Sequence, residues 1–370
     1  MKLPRFSLPT LQKQIGIDLG TNRTRIWTSQ GGFVIDEPTA IAVDQQSGKV
    51  LAVGQAAEDM AGRVAAHIKV SRPIQSGTIA QADLVQAMLR VFMRKLFPSP
   101  YFFRPSIMIS VPSNLSSLQK EIILDILYSL GAREVLFVDQ LLAAAIGSGV
   151  PIADSSGSLV LQFGAGITEG GITSLGSLVV SETNEYAGDY LDKAITRVIR
   201  QEAQLQVGTQ AVSKLKENFL TFKSDVIPAG AVIPAQAGIH VLSSSGLTRG
   251  SSSNHQIVIS GQDIVESVPK EVLLTSQMFL PILNELLARY VRLAHQLFAQ
   301  IPPELTNDVI DKGLIMSGGL AQIDGLDMAL LSALGVPVSV VEKPDKSVIK
   351  GIAQILQNLE LFKESIGYQN

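Results

Sequence analysis

The sequence predicts an α/β protein built from two similar halves, and two observations predict it. A strand–glycine turn–strand hairpin occurs twice, as "KQIGIDLGTNRTRIWTS" (13–29) and "SLVLQFGAGITEGGITSLGSLVVSE" (158–182), and strand–helix units follow each copy. The hairpins also align position by position: Asp18 on Gln162, Gly20 on Gly164, Thr21 on Ala165, Asn22 on Gly166. Duplication accounts for both; chance likeness of two short hairpins is the competing account.

Composition bounds this reading. At 370 residues the chain can bury two cores. A hydrophobic share of 46% against 17% charged residues excludes disorder. A net charge of −3 supplies no basic field for nucleic acid. Without cysteine there are no disulfides and no thiolate metal sites, which fits a reducing compartment. No stretch approaches the roughly 20 apolar residues that cross a bilayer. The start "MKLPRFSLPTLQKQ" lacks the long apolar core and cleavage site of a signal peptide. The expected location is cytoplasmic, with a peripheral membrane role left open.

The elements follow in order. "GGFVIDEPTAIAVD" and "KVLAVG" continue the β pattern after the first hairpin. "DLVQAMLRVFMRKLF" (83–97) has apolar residues at helical spacing, and "SIMISVP" (106–112) reads as a buried strand. "SSLQKEIILDILYSLGA" (116–132) is an amphipathic helix with Ser117 as N-cap and Gly131 closing it. "EVLFVD" is a strand, "QLLAAAIGSG" a small-residue helix, and "GDYLDKAITRVIRQEA" a helix after the second hairpin. Residues 227–262, rich in Pro, Gly and Ser, read as a β-rich excursion with a flexible tip near "SSSGLTRGSSS". The spacing then predicts one long helix over 271–301, kinked at Pro281. "DKGLIMSGGLAQIDGLDMALLSALGVPVSVVE" reads as strand, Gly–Gly turn, helix, strand, and a helix over 346–363 ends the chain. Trp27 is read as core, and the four histidines are dispersed without ligand spacing.

Three glycine turns follow short apolar strands: "DLGTN" (18–22), "FGAG" (163–166) and "SGG" (317–319). Glycine lets backbone N–H groups approach a phosphate closely. Three such turns, the third opening a helix, can converge on one nucleotide. Asp18 then suits a magnesium ion held through water, its competing role being a turn-forming Asx residue. Gln162 stands where a metal-side carboxylate is wanted, and Ile167 where a hydroxyl near the γ-phosphate is wanted.

"IGIDLGTNRTRIW", "DEPTAIAV", "AVGQAAEDMAGR" and "RPIQSGTIA" resemble, in order, the first part of the MreB family of bacterial actins. "VPSNLSSLQKEIILDILYSLGAREVLFVDQLLAAAIGSGVPI", "GSLVLQFGAGITEGGITSLGSLVVSE", "AGDYLDKAI" and "PPELTNDVIDKGLIMSGGLAQIDGLDMALLSALGVPV" resemble its later segments. The resemblance runs from about residue 14 to 355 and breaks mainly at 227–262.

The resemblance implies the duplicated, bilobed actin-like (ribonuclease H-like) fold with four subdomains. Subdomain IA would take 1–33, 76–142 and 336–370, and IB 34–75. IIA would take 143–187 and 262–335, and IIB 188–261. ATP or ADP with Mg2+ would lie between the lobes. Asp18 would serve the metal, Gly20, Thr21 and Asn22 the first phosphate loop, and Gly164, Ala165 and Gly166 the second. Gly188, Lys216, Gly318 and Gly319 would contact the nucleoside or close the cleft. "AVSKLKEN" leaves Glu217 and Asn218 as alternatives for the family glutamate. Leu320 replaces a third glycine and either crowds the adenine or packs against it.

The catalytic positions depart from the family. Gln140 stands for a water-positioning glutamate, although eukaryotic actins carry glutamine there. Gln162 and Ile167 replace an aspartate and a threonine. Neighbouring Thr168 or Glu169 is the available compensation, but on a strand Thr168 faces away from Ile167. Losing one transition-state contact costs about 10²–10³ in rate, so weakened hydrolysis is expected; the competing reading is a divergent ATPase relying on Asp18.

The resemblance also implies homopolymer filaments on the cytoplasmic membrane surface, with cell-shape or division membrane proteins as partners and no nucleic acid. Tyr101, Phe102 and Phe103 beside Arg104 suit a lipid interface, as does the basic and apolar tail 1–13. Burial under a neighbouring element or at a subunit contact is the alternative for the loop. Two other classes compete with the filament: a non-dynamic membrane adaptor of the division or pilus type, and a small-molecule kinase of the same superfamily.

Overall fold

The two glycine hairpins each lie within a five-stranded sheet, and the two sheets share one strand order. Residues 13–97, 104–151, 155–218, 220–222 and 256–362 are described in this computed structural model. The loop Tyr101–Phe103, the tail 1–12 and most of the Pro/Gly/Ser-rich excursion, 223–255 with its tip, lie outside the described residues. The chain divides into two compact units. Unit 1 comprises Met1–Asp154, Leu175–Ser177 and Lys346–Asn370; unit 2 comprises Ser155–Ser174 and Leu178–Asp345.

Unit 1 begins with β1 (Gln14–Leu19), β2 (Arg23–Thr28) and β3 (Gly32–Pro38). A small sheet follows from β4 (Ile41–Asp44), β5 (Val50–Val53) and, after helix α1 (Gln55–Met60), β6 (Ile68–Ser71). The two-stranded β7 (Ile74–Gln75) and β8 (Thr78–Ile79) lead to α2 (Ala82–Leu96). Then come β9 (Ser106–Val111), α3 (Ser117–Ser129), β10 (Glu134–Asp139) and α4 (Gln140–Gly147). The main sheet runs β10–β9–β1–β2–β3, antiparallel at β1–β2 and parallel at β1–β9 and β9–β10.

Unit 2 repeats the pattern with β11 (Ser158–Phe163), β12 (Thr168–Ser174) and β13 (Ser177–Asn184). Helix α5 (Gly188–Glu202), β14 (Leu205–Gln206), α6 (Thr209–Asn218), β15 (Gln256–Asp263) and β16 (Pro269–Thr275) follow. Next are α7 (Leu280–Phe298), α8 (Pro303–Lys312), β17 (Leu314–Ser317), α9 (Leu326–Leu334) and β18 (Val338–Val340). The sheet order β18–β17–β11–β12–β13 matches that of unit 1, with β11–β12 antiparallel and β11–β17 and β17–β18 parallel. The expected duplication therefore holds at the level of topology. The central strands β9 and β11 are buried at all six positions, as strands covered on both faces must be. Separate apolar cores form around Ile15, Ile17 and Ile107 in unit 1 and Leu159, Leu161 and Leu286 in unit 2. Trp27 is buried as expected.

The chain ends in unit 1 with α10 (Ser347–Gln357) and α11 (Leu359–Phe362), two helices where one was expected over 346–363. The expected long helix over 271–301 is corrected more strongly. Residues 271–275 belong to β16, which pairs with β15 from Gln256↔Thr275 to Gln262↔Pro269. Pro281 lies in the first turn of α7, where its missing N–H costs nothing, so it starts the helix instead of kinking it. The N-cap of α3 is Ser116, not Ser117: the Ser116 side chain accepts from the Gln119 N–H at 3.3 Å. Gly131 takes φ +93° just past the helix end, as expected. Among the described residues no helix is long and apolar enough to cross a membrane.

Candidate phosphate-binding turns

The same turn closes both hairpins. Gly20 N–H donates to the Arg23 carbonyl at 3.1 Å, and Gly164 N–H to the Ile167 carbonyl at 3.0 Å. A Cβ on Gly20 would lie 2.8 Å from the Arg23 oxygen, and one on Gly164 2.6 Å from the Ile167 oxygen. Each turn thus needs glycine for its closure.

Other elements hold the turn carbonyls inward. The Thr39 hydroxyl donates to the Gly20 carbonyl at 2.7 Å, and the Thr39 N–H to the Asn22 carbonyl at 2.9 Å. In unit 2 the first amides of α5 do this work. Gly188 N–H bonds the Gly164 carbonyl at 3.1 Å, and Asp189 N–H the Ala165 carbonyl at 2.8 Å. In a planar trans peptide the C=O and N–H point in opposite directions. Inward carbonyls at Gly20, Gly164 and Ala165 therefore turn the N–H groups of Thr21, Ala165 and Gly166 outward, the orientation of a backbone anion nest. Gly188 is glycine because the helix start comes this close: its Cβ would lie 3.2 Å from the Ala165 Cα. The Thr21 side chain is committed, accepting from the Gly77 N–H at 3.2 Å.

The strand ends below the turns differ in charge. Asp18 is buried, and its Oδ2 lies 3.6 Å from Nη1 of Arg25, its cross-strand neighbour. Burial pushes the Asp18 carboxyl above the usual carboxylate range, opposed by the Arg25 charge and by the Ser110 hydroxyl, 3.5 Å away. Its counterpart Gln162 is also buried, and its Oε1 accepts from the Ser317 hydroxyl at 2.6 Å. The likeness extends to the neighbours, since Ser110 on β9 and Ser317 on β17 hold equivalent strand positions. Ile167 is buried. The Thr168 hydroxyl donates to the Tyr186 carbonyl at 2.8 Å and so braces the chain ahead of α5.

In unit 2 the third turn meets the second. Gly318 has φ +90°, and a Cβ there would lie 2.6 Å from the Phe163 carbonyl carbon. Gly319 meets nothing within 4 Å. The expected helix start at this turn is corrected. Gly319–Gln322 is one 3-10 turn, and α9 begins only at Leu326, so no long-helix N-terminus follows Gly319 directly. Leu320 is 5% exposed within the unit 2 core, which is where its side chain is spent. Lys216 on α6 pairs with Asp192 on α5 at 2.8 Å, Glu217 is exposed, and the Asn218 side chain lies outside the described residues. Gln140 opens α4 and is half-buried; burial raises the neighbouring Asp139 carboxyl above its usual range.

The two equivalent strand ends, each taken in its own unit, offer different donors. Asp18 is already ion-paired, Gln162 is a neutral amide engaged by Ser317 with the buried Glu169 opposite it on β12, and among the described residues no group of three His, Asp or Glu gathers as metal ligands. The sequence reading missed Arg25, Thr39, Ser110 and Ser317. For Thr39 the signal was present in "DEPT"; the others required the strand register.

A duplicated five-stranded fold with a glycine hairpin in each copy is the architecture that the resemblance to bacterial actins implied. The chain belongs to the MreB/Mbl family: the family described as "MreB/Mbl protein" matches residues 12–226 and 231–364. It is 33% identical over 348 residues to the cell shape-determining protein Mbl of Bacillus subtilis, covering 94% of this chain and 97% of that one. To the cell shape-determining protein MreB of Escherichia coli it is 30% identical over 353 residues, 94% of each chain. Among solved structures it is similar to MreB5 of Spiroplasma citri bound to ADP, with a TM-score of 0.83, 25% identity and coverage of 96% of this chain and 99% of that one. It shares the fold of MamK in a double helical filament, with a TM-score of 0.72, 17% identity and coverage of 94% and 99%. The chain is thus an MreB-like, actin-like cytoskeletal protein.

Proposed function

We propose that this protein binds ATP and ADP and polymerises into filaments on the inner face of the cytoplasmic membrane, where it takes part in cell-shape determination with slowed hydrolysis. The observation that carries the reading is the shared turn geometry, inward carbonyls and outward amides at Gly20–Asn22 and Gly164–Gly166. The ADP bound by MreB5 of Spiroplasma citri and the filament of MamK support nucleotide binding and self-association. The four subdomains, and the nucleoside roles of Lys216, Glu217 or Asn218, Gly318 and Gly319, belong to the same proposal. Membrane association rests on the sequence of the 96–106 loop and the tail. Magnesium enters only as an ion brought by the phosphates, with Asp18 as the carboxylate at the end of β1.

Slow hydrolysis is supported by three commitments. The Gln162 amide is neutral and engaged, Ile167 supplies no hydroxyl, and the Thr168 hydroxyl is used by Tyr186. Two missing contacts at about 10²–10³ each make turnover very slow. The test is phosphate release under polymerising conditions alongside negative-stain microscopy with ATP and lipid. Filaments with little phosphate release are expected. Dispersed particles would point to the adaptor class, and turnover equal to that of ordinary bacterial actins would refute the slowed hydrolysis.

A further inference from the structure

We infer that Arg25 supplies part of the positive counter-charge that a divalent cation supplies in a two-carboxylate site, so that this chain holds adenine nucleotides with little dependence on magnesium. The inference rests on the nucleotide-binding reading above.

The strand register sets the geometry. Asp18 on β1 stands opposite Arg25 on β2, and Arg25 stands opposite Asp36 on β3, so the three side chains form one row on one sheet face. One residue pair, Leu19↔Thr24, separates that row from the first glycine turn. Arg25 Nη1 is 3.6 Å from Asp18 Oδ2, and its Nε is 3.3 Å from Asp36 Oδ1. Arg23 Nε reaches the same Asp36 oxygen at 2.6 Å, and Lys346 Nζ reaches Asp36 Oδ2 at 3.5 Å. The Asp18 and Arg25 side chains are only 9% and 11% exposed. These pairs set three cations against two carboxylates, an excess positive charge beside the turn.

A buried carboxylate is tolerated when a cation pairs with it. In Asp18 that cation belongs to the chain itself. A hydrated magnesium ion approaching Asp18 meets the Arg25 guanidinium at the same carboxylate, and like charges oppose each other there. In unit 2, considered by itself, the residue equivalent to Asp18 is the neutral Gln162, whose Oε1 accepts from Ser317, and the buried carboxylate of that row is Glu169, opposite it on β12. Magnesium is ordinarily held by one or two carboxylates together with phosphates, whereas a guanidinium neutralises phosphate oxygens directly. The charge that the donor set fails to recruit from solution is thus fixed on β2.

The experiment compares affinities of the purified full-length protein for ADP and a non-hydrolysable ATP analogue by calorimetry, in magnesium and in EDTA. Wild type should change by less than about threefold, well short of the tenfold that one charge-assisted contact is worth. Arg25→Leu should become magnesium-dependent, about tenfold or more weaker in EDTA, while Arg25→Lys keeps the wild-type insensitivity. A wild-type loss of about tenfold in EDTA overturns the inference without needing any variant. So does an Arg25→Leu variant that remains insensitive to EDTA, or an Arg25→Lys variant that behaves like Arg25→Leu. Binding that requires magnesium sinks this inference alone; no binding in either buffer sinks the nucleotide-binding reading with it.

Discussion

Substituting Gly147 by alanine should destabilise unit 1 by about 2 kcal/mol, the difference between two opposing effects. Gly147 on α4 and Gly351 on α10 face each other where these helices pack backbone against backbone. A Cβ on Gly147 would lie 2.6 Å from the Gly351 nitrogen and 2.8 Å from the Ser347 carbonyl carbon. A Cβ on Gly351 would lie 2.6 Å from the Ala143 carbonyl carbon. Heavy atoms at best separation stand about 3.5–4.0 Å apart, and the Ser347 and Ala143 carbonyl oxygens come closer still to these Cβ positions, so the helices must part by more than about 1 Å. Backbone cannot rotate out of the way as a side chain can. The apolar contacts of α4 and α10, both largely buried, are stretched together. Overpacking of this kind costs about 1–3 kcal/mol, with the upper end expected against rigid backbone, while alanine regains at most about 1 kcal/mol of helix propensity over glycine at this last residue of α4. Urea unfolding followed by circular dichroism measures the loss. A double-mutant cycle sharpens it: once the helices have parted for Gly147→Ala, Gly351→Ala should cost less than it does alone. An unchanged or higher urea midpoint for Gly147→Ala would refute the backbone-crossing argument.

Two further outcomes are expected. Leu320→Gly, which writes the family's third glycine into the Gly318–Gly319 turn, should destabilise unit 2 by about 3–5 kcal/mol, since it removes a buried leucine and loosens the backbone; urea unfolding checks it, and a neutral result would show that the Leu320 side chain is not a core contact. Asp263 has its carboxyl held down at about 2 by the Lys270 ammonium, 2.8 Å away, and by the N–H groups of Val265 and Glu266. Because this value is depressed, the turn after β15 keeps its full support above the ordinary value of 3.8 and loses it as pH falls toward about 2. Carboxyl NMR titration should show this, with the Asp263 midpoint moving upward in Lys270→Ala; an unmoved midpoint would assign the effect to the backbone donors alone.

The hairpins, the helix after each strand and the family were legible in the residues because glycine turns and period-two strands carry local signals. The run 271–301 misled because "EVLLT" is apolar enough for either element, and only its pairing with β15, the strand just before it across the turn 264–268, decides for a strand. Ser116 and Ser117 are equally good caps by composition, and the helix register chose between them. Gln162 was legible as the loss of a charge, but its bond to Ser317 was not, since the two stand 155 residues apart. Leu320 left open in the sequence whether it would meet adenine or core; its burial in unit 2 comes from the short 3-10 turn that follows Gly319.

What the sequence determined by itself is chemistry that travels with single residues: where glycine permits a tight turn, which carboxylate is present, which has become an amide. Tertiary structure alone decided the company those residues keep. Arg25 reads as one more polar residue on a strand until the β1–β2–β3 register places it against Asp18 and Asp36. Gly147 and Gly351 read as helix weak points until α4 and α10 cross at them. The physical reason is range: backbone preference is set within a few residues, whereas charge pairing and close packing depend on distances in space that the order of residues does not contain.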